Sequence, residues 1–235
     1  MIGFIALLAF SWVLLFVFEK QSLLALGLLP VSKRIKQFCV GFGIAALLCV
    51  AVQFLEAYLK DADWVLNKEI TTTLFVNSFW WDLKSVLTEE LIFRGALLYL
   101  LIKKIGAGKA VLISAVAFGI YHWFSYGVFG NIMPMIFVFV GTGLMGYAWA
   151  LAFAKTNSML LGTGLHLGWN FCYNTLFSKG PLGAMVFISK GGYELADWPS
   201  LLNFLSGLIL VPVLVLLYIK FGVRKETDQH NPVSP

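Results

Sequence analysis

The sequence predicts an all-α protein, a polytopic transmembrane helical bundle of seven or eight spans. Of its 235 residues, 60% are hydrophobic and 12% are charged, and the mean hydropathy is +0.85. Soluble domains are closer to about half apolar and about a quarter charged. The apolar residues also form blocks long enough to cross a hydrocarbon core, which takes about 20 residues of helix. This composition excludes a soluble globular domain, because such a domain would expose large apolar patches.

Seven apolar blocks separated by polar residues mark the predicted spans. They cover residues 2–18, 38–59, 73–102, 110–127, 131–153, 158–178 and 200–219. The third block is too long for one perpendicular span, and its first part contains Asp82 and Lys84. We expect that part to be a tilted or partly interfacial helix, or an eighth segment. The first block lacks the basic start and the cleavage site of a signal peptide, so we interpret it as a retained helix.

Lysine and arginine residues predict the orientation in the membrane. They cluster after the first, third, fifth and seventh blocks, whereas the alternate loops mix lysine with acidic residues. The clusters are Lys20, Lys33, Arg34 and Lys36, then Lys103, Lys104 and Lys109, then Lys155, and finally Lys220, Arg224 and Lys225. The positive-inside rule therefore places the N-terminus outside and the C-terminus in the cytoplasm, in an integral protein of the plasma membrane. The scattered charges form no nucleic-acid patch. The polar segment after Lys220, which includes His230, is predicted to be a disordered end.

The first group of polar residues inside the apolar blocks lies in the sequence TEELIFRG. Glu90 and Arg94 are four residues apart, with the acid first, which favours an ion pair on one helix face. Glu89 points about 100° away from Glu90, since a helix has about 3.6 residues per turn. One carboxylate is thus tied to the guanidinium, and the other can face a different partner. The alternative is an ion pair that only fixes helix packing.

Two further groups lie in FGIYHWF and GTGLHLGWN. His122 is near the outer end of the fourth block, where a histidine beside aromatic residues is commonly an interfacial residue. His166 and Asn170 are four apart and share a helix face. Gly164 and Gly168 have the small-xxx-small spacing that lets another helix approach closely, so the alternative interpretation of this group is a packing seam with two bridging polar residues.

Depth in the membrane links the three groups. At a rise of about 1.5 Å per residue, Glu89 and His122 lie about 20 Å from the nearest cytoplasmic junction. On the same basis Asn170 lies about 20 Å deep and His166 about 14 Å deep. Polar residues that only contribute to helix packing are not expected at one common depth. Residues that form one water-accessible site are.

The residue types in these groups suit hydrolysis of an amide without a covalent intermediate. A carboxylate and an imidazole, Glu89 and His122, can position and deprotonate a water molecule. A second imidazole and an amide, His166 and Asn170, can donate hydrogen bonds to a developing oxyanion. No serine or cysteine lies in a nucleophile-elbow context.

The remaining pair, Glu90 and Arg94, would support the other site residues. No cofactor is predicted. Glu89, His122 and His166 are residue types that can ligate zinc, but the sequence contains no HExxH motif, and Arg94 would compete with a metal for the carboxylates.

The three motifs together resemble the CPBP family, which groups CAAX prenyl endopeptidases with bacteriocin-processing and immunity proteins. EELIFR matches the EExxxR pattern, FGIYH the FxxxH pattern and HLGWN the HxxxN pattern, in the same order, within residues 85–175. The resemblance implies an intramembrane, glutamate-dependent endopeptidase. It also implies that the first glutamate and the FxxxH histidine activate water, and that the HxxxN pair forms the oxyanion hole.

The resemblance gives the expected organisation of the chain and its partners. Residues 1–72 are N-terminal transmembrane helices, 73–180 the CPBP-type catalytic core, and 181–235 a C-terminal transmembrane helix with a cytoplasmic tail. The expected partners are the lipid bilayer and a membrane-embedded or lipidated peptide or protein substrate, with no nucleic acid. Two alternatives stay open: an ion-coupled transporter, for which intramembrane Glu, Arg and His are also typical, and a non-catalytic immunity or scaffold protein.

Overall fold

Helices dominate the structure, a computed structural model in which residues 2–226 are described. The helices are α1 (Ile2–Glu19), α2 (Val31–Lys60), α3 (Thr72–Arg94), α4 (Ala96–Ile105), α5 (Ala107–Ser125), α6 (Ile132–Thr156), α7 (Leu160–Asn170), α8 (Asp197–Leu205) and α9 (Val211–Leu217). A 3₁₀ turn covers Leu23–Leu26, and wider π-helical turns cover Phe171–Leu176, Ser206–Leu210 and Tyr218–Gly222. The prediction of an all-α protein is confirmed.

A small antiparallel sheet is the one kind of element that the sequence did not predict. Strand β1 (Ala62–Leu66) pairs with β2 (Phe187–Gly191) so that Trp64 lies opposite Ser189. The indole of Trp64 packs against the ring of Phe177 at 4.8 Å between centroids. The two strands are far apart in the chain, so no local turn signal marks them as a hairpin.

Four helical segments are long and apolar enough to cross a membrane. They are α2, α5, α6 and the continuous helical run Asp197–Gly222 formed by α8, α9 and their π turns. Helix α1 is apolar but shorter, and α3 carries Asp82, Lys84, Glu89, Glu90 and Arg94. The count of seven or eight spans therefore stays a prediction.

The predicted block 73–102 is divided into two helices at Gly95. Helix α3 begins after Thr71, whose hydroxyl accepts a hydrogen bond from the Leu74 N–H at 3.2 Å, as at a standard N-cap. It ends at Arg94 because the chain turns sharply at Gly95, where a Cβ would overlap the Leu91 carbonyl. The predicted single long block is thus one helix of 23 residues and a second of 10.

Glycines let α7 lie directly on α2. A Cβ at Gly164 would overlap the Phe38 carbonyl, and a Cβ at Gly168 would overlap the Phe42 carbonyl. From the other side, a Cβ at Gly41 would lie 2.6 Å from the Leu161 carbonyl. The close approach predicted from the Gly164 and Gly168 spacing is confirmed, and it fixes the depth and rotation of the helix that carries His166 and Asn170.

Three of the basic segments meet at one end of the bundle. Arg34, at the start of α2, donates a 3.0 Å hydrogen bond to the Thr156 carbonyl at the end of α6. The Lys155 ammonium donates to three carbonyls, each at 2.8 Å, of Ile219, Lys220 and Val223. This grouping agrees with the pattern behind the predicted orientation, which itself stays a prediction.

The chain after Lys220 is ordered as far as the structure describes it. Glu226 lies 2.8 Å from the Lys33 ammonium and 3.3 Å from the Arg34 guanidinium, and its N–H donates to the Lys155 carbonyl at 2.7 Å. The prediction of a disordered end is wrong for residues up to 226, because these ion pairs hold the segment against α2 and α6. Residues 227–235, including His230, lie outside the described residues.

Candidate active site

The motif residues of α3 lie on two faces of that helix. Glu90 and Arg94 are both fully buried, and the guanidinium donates to both carboxylate oxygens, with Nε at 3.1 Å from Oε2 and Nη2 bonded to Oε1. The ion pair predicted from the four-residue spacing is confirmed. It keeps two opposite charges together in a fully buried position, where an unpaired charge would be strongly unfavourable.

The Glu90 carboxylate also contacts His166 on α7. Its Oε1 lies 2.8 Å from His166 Nδ1, and since a carboxylate only accepts, Nδ1 is the donor. Glu90 therefore connects α3 to α7 and turns Nε2 of His166 toward Glu89. The sequence indicated a supporting role for Glu90 through Arg94 alone and did not identify this link.

His122 is oriented by its own helix. Its Nδ1 donates to the Phe118 carbonyl one turn earlier at 2.8 Å, which leaves Nε2 pointing away from α5. The ring is buried, with only 6% of the residue exposed. The alternative interpretation of His122 as an interfacial residue is wrong, because the side chain turns into the bundle.

Glu89 faces both imidazoles. Its Oε2 lies 3.7 Å from His166 Nε2 and 3.9 Å from His122 Nε2. Both distances are longer than a direct hydrogen bond. The same oxygen is buried without a hydrogen-bond partner among the described residues, and Oε1 has a single 3.4 Å contact with Ser85 Oγ. Three polar atoms, Glu89 Oε2 and the Nε2 atoms of the two histidines, thus converge on one point.

Asn170 is the last residue of α7, one turn beyond His166. Its side chain is half-buried and forms no hydrogen bond within residues 2–226. The structure therefore brings Glu89, Glu90, Arg94, His122 and His166 into direct or near contact, and we call these five residues the Glu89 cluster. It places Asn170 on the same helix as His166, without a hydrogen bond or ion pair to the other five.

Two aromatic residues pack closely against the Glu89 cluster. The Trp149 indole stacks on the His166 imidazole, with 3.9 Å between centroids and 18° between planes. The Phe118 ring lies 4.4 Å from the His122 ring and 4.3 Å from the Arg94 guanidinium carbon. The FxxxH spacing could have indicated Phe118, since the carbonyl four residues earlier is within reach of a helical histidine. No sequence signal distinguishes Trp149 from the other tryptophans.

A second buried polar cluster lies earlier on α3. The Asp82 carboxylate is fully buried and accepts from the Asn174 amide at 2.6 Å and from the Thr175 hydroxyl at 2.7 Å. Ser78 Oγ is 2.5 Å from Thr175 Oγ1, and because the Thr175 proton points to Asp82, Ser78 is the donor. We call these four residues the Asp82 cluster. Asp82 faces the interior of the bundle, and the expectation of a tilted or partly interfacial helix around it stays a prediction.

Metal ligation is not indicated by the described side chains. Between residues 2 and 226, no group of three or more His, Cys, Asp or Glu residues is arranged to hold a metal ion. Glu90 is engaged with His166 Nδ1 and with Arg94, so it offers no oxygen without a partner to a metal ion. The absence of a cofactor stays a prediction.

Comparison with known proteins identifies the region that carries these motifs. Residues 70–172 match a family model described as type II CAAX prenyl endopeptidase Rce1-like. The CPBP resemblance is confirmed. The matched segment contains all three motifs of the CPBP core and ends two residues after Asn170. No curated protein and no solved structure matches the chain.

The family match and the four apolar helices together identify an integral membrane protein. The matched segment covers α3 to α7 and contributes every residue of the Glu89 cluster. Helices α1, α2, α8 and α9 lie outside it. Of these, α2 packs along α7 through the glycine contacts described above, so a helix from outside the matched segment supports the site.

Proposed function

We propose that the protein is an intramembrane endopeptidase of the CAAX protease type, which hydrolyses a peptide bond with water activated by Glu89 and His122. The observation that supports this most is Glu89 Oε2, a buried carboxylate oxygen without a hydrogen-bond partner in the described chain, facing Nε2 of two histidines. A buried acceptor of this kind is unfavourable unless a donor such as water binds it.

In the proposed reaction, a water molecule near Oε2 donates one proton to Glu89 and is oriented by His122. Its oxygen attacks the scissile carbonyl, and the C–O bond forms as the carbonyl π electrons move onto the carbonyl oxygen. His122 is held for this task by its Nδ1 bond to the Phe118 carbonyl. General base assistance of this kind contributes about 10²–10⁴-fold.

The negative charge that develops on the carbonyl oxygen is stabilised from α7. His166, protonated at Nε2, and the Asn170 amide donate to this oxygen, while Glu90 supplies the counter-charge at His166 Nδ1. The C–N bond then breaks, the carbonyl re-forms, and the leaving amine takes the proton held by Glu89. Arg94 maintains the charge balance by pairing with Glu90.

The proposed substrate is a membrane-embedded or lipidated peptide, because the reacting groups lie inside a bundle of apolar helices. Large apolar side chains are exposed along the outside of that bundle, for example Leu47 at 71% and Ile132 at 73%. A substrate that itself partitions into lipid can reach such a site without crossing a polar surface.

The test is cleavage of defined peptides by the purified full chain in detergent and in liposomes. The peptide set contains a prenylated C-terminal peptide, the same peptide without the lipid, and transmembrane peptides. Glu89→Gln should lower kcat/KM by about 10²–10⁴-fold and leave the thermal unfolding midpoint unchanged, since Glu89 has a single weak contact.

The matched control is Glu56→Gln, because Glu56 is also a carboxylate on a helix but is paired with the ammonium groups of Lys60 and Lys179, at 2.6 and 2.7 Å. Equal cleavage by Glu89→Gln and Glu56→Gln would overturn the mechanism. Insensitivity to EDTA and phenanthroline is expected; inhibition that zinc reverses would contradict the metal-free reaction. Proton-coupled uptake lost in Glu89→Gln, with no cleavage in any peptide, would favour transport instead.

A further inference from the structure

The Asp82 cluster joins α3 to the π-helical segment Phe171–Leu176, which follows α7 directly. Both oxygens of the Asp82 carboxylate accept hydrogen bonds from that segment, one from Asn174 and one from Thr175. The residue is fully buried. Burying a carboxylate at this depth is unfavourable, so its complete pairing indicates that the contact has a specific task.

A π turn is wider than an α turn, rarely persists on its own and is common at functional sites. In this segment the wider turn is held from two sides. Asp82 binds two of its side chains, and the Thr175 carbonyl accepts from the Val186 N–H at 3.1 Å, just before β2. These contacts fix where α7 ends and how its last turn faces the bundle.

Asn170 lies between two anchored positions. Four residues before it, His166 is bound to Glu90 at 2.8 Å; four residues after it, Asn174 is bound to Asp82 at 2.6 Å. The Asn170 side chain has no hydrogen-bond partner of its own in residues 2–226. Its direction is therefore set by the backbone turn that these two anchors hold.

We propose that Asp82 is a positioning residue that aims the Asn170 amide at the oxyanion by holding the π segment behind it. The inference rests on the proposed function, in which Asn170 donates to the oxyanion. Asp82 itself does not touch the reacting atoms. It acts through Asn174 and Thr175 on a donor that has no hydrogen-bond partner of its own among residues 2–226.

Gly180 gives a second, independent way to disturb the same contact. A Cβ at Gly180 would overlap Asn174 Oδ1, so the Asn174 amide is confined between Gly180 and Asp82. Gly180→Ala pushes this amide from the side opposite to Asp82 and leaves the Asp82 charge in place. A shared effect of both substitutions therefore reports on the position of Asn174 and not on loss of a buried charge.

The experiment measures kcat and KM for Asp82→Asn and Gly180→Ala, alone and combined with Asn170→Ala, with Glu56→Gln as the control. Misplacing a donor by about 1 Å lowers the rate by about 10–100-fold, so both variants should lose that much in kcat with little change in KM. With Asn170 already replaced, either substitution should lower kcat by less than about a further threefold, because the effects of coupled residues are not additive. Full additivity would overturn the proposal, as would an unchanged kcat.

Amide hydrogen exchange of the same variants gives a readout that does not depend on cleavage. Exchange in the peptide 170–177 should accelerate by about 10-fold in both variants, since local opening follows the loss of side-chain anchors, while exchange in α9 stays at the wild-type rate. Unchanged exchange in 170–177 would overturn the proposal even if no peptide is cleaved.

Absence of cleavage by the wild type, with accelerated exchange in the variants, would instead count against the proposed function. If Asp82→Asn does not fold, the kinetic and exchange measurements of Gly180→Ala alone test the proposal.

Discussion

The Glu89 and Asp82 clusters lie on the same helix and differ in how completely their carboxylates are paired. Asp82 accepts hydrogen bonds at both oxygens, at 2.6 and 2.7 Å. Glu89 has one contact of 3.4 Å at Oε1 and no partner at Oε2 within the described chain. Two carboxylates on helix α3 thus differ in their hydrogen bonding: that of Asp82 is fully paired and that of Glu89 is not.

The difference separates a structural use of a buried carboxylate from a reactive one. Full pairing lowers the free energy of the folded state and leaves neither carboxylate oxygen without a donor. Incomplete pairing costs stability and keeps an acceptor available for water or substrate. Glu90, next to Glu89, is of the first kind, since Arg94 and His166 occupy its carboxylate.

The largest effect should come from Glu90→Gln. This change leaves the fully buried Arg94 guanidinium without a counter-charge, which typically costs about 3–5 kcal/mol of unfolding free energy. It also replaces the carboxylate that orients His166 with a neutral amide that has one acceptor oxygen instead of two, so kcat/KM should fall in parallel. Denaturant unfolding in detergent, followed by tryptophan fluorescence, measures the first effect and peptide cleavage the second.

The Glu56→Gln variant again provides the comparison. Its partners Lys60 and Lys179 are 33% and 24% exposed at the side chain, so the loss should stay within about 1 kcal/mol. If Glu90→Gln were as stable as Glu56→Gln, the Glu90–Arg94 pair would not stabilise the folded protein. The distinction between the fully paired Glu90 and the incompletely paired Glu89 would then have no energetic basis.

The intermediate effect should come from Thr175→Val in the Asp82 cluster. Valine keeps the shape of threonine and removes the hydroxyl that donates to Asp82 and accepts from Ser78. Leaving buried groups unsatisfied costs about 1–3 kcal/mol, which unfolding in detergent can measure.

Thr142→Val is the matched control for Thr175→Val. The Thr142 hydroxyl donates only to the Val138 carbonyl of its own helix, at 2.6 Å. A smaller loss is expected there, because that carbonyl keeps its helical partner. Equal losses in the two variants would contradict the view that the Asp82 cluster stabilises the fold through complete pairing.

Local spacing predicted those parts of the site whose partners are close in sequence. The Glu90–Arg94 pair follows from a separation of four residues, and the approach of α2 to α7 follows from Gly164 and Gly168. The helices follow from apolar blocks, although the break at Gly95 does not, because a glycine in an apolar run is also compatible with a continuous membrane helix.

Contacts between distant parts of the chain could not be predicted in the same way. His166 and Glu90 are 76 residues apart, and Asp82 is 92 residues from Asn174. Hydropathy places a polar residue such as Asp82 at an interface by default, since its partners are known only after the helices pack. Glu226 is a similar case: a polar, charged end resembles a disordered tail until Arg34 and Lys33 are found beside it.

The smallest effect should come from Ser85→Ala, which removes the one hydrogen bond that Glu89 has. At 3.4 Å from Oε1, the Ser85 hydroxyl is near the limit of hydrogen bonding. We expect the unfolding free energy to change by less than about 0.5 kcal/mol. We expect kcat/KM to change by no more than about twofold, which is an activation free energy of about 0.5 kcal/mol. Ser85→Ala and Glu89→Gln should be measured side by side on the same peptide. A loss in Ser85→Ala as large as that in Glu89→Gln would mean that Glu89 depends on a fixed partner, as Asp82 does. The reactivity of Glu89 would then have to come from something other than its incomplete pairing.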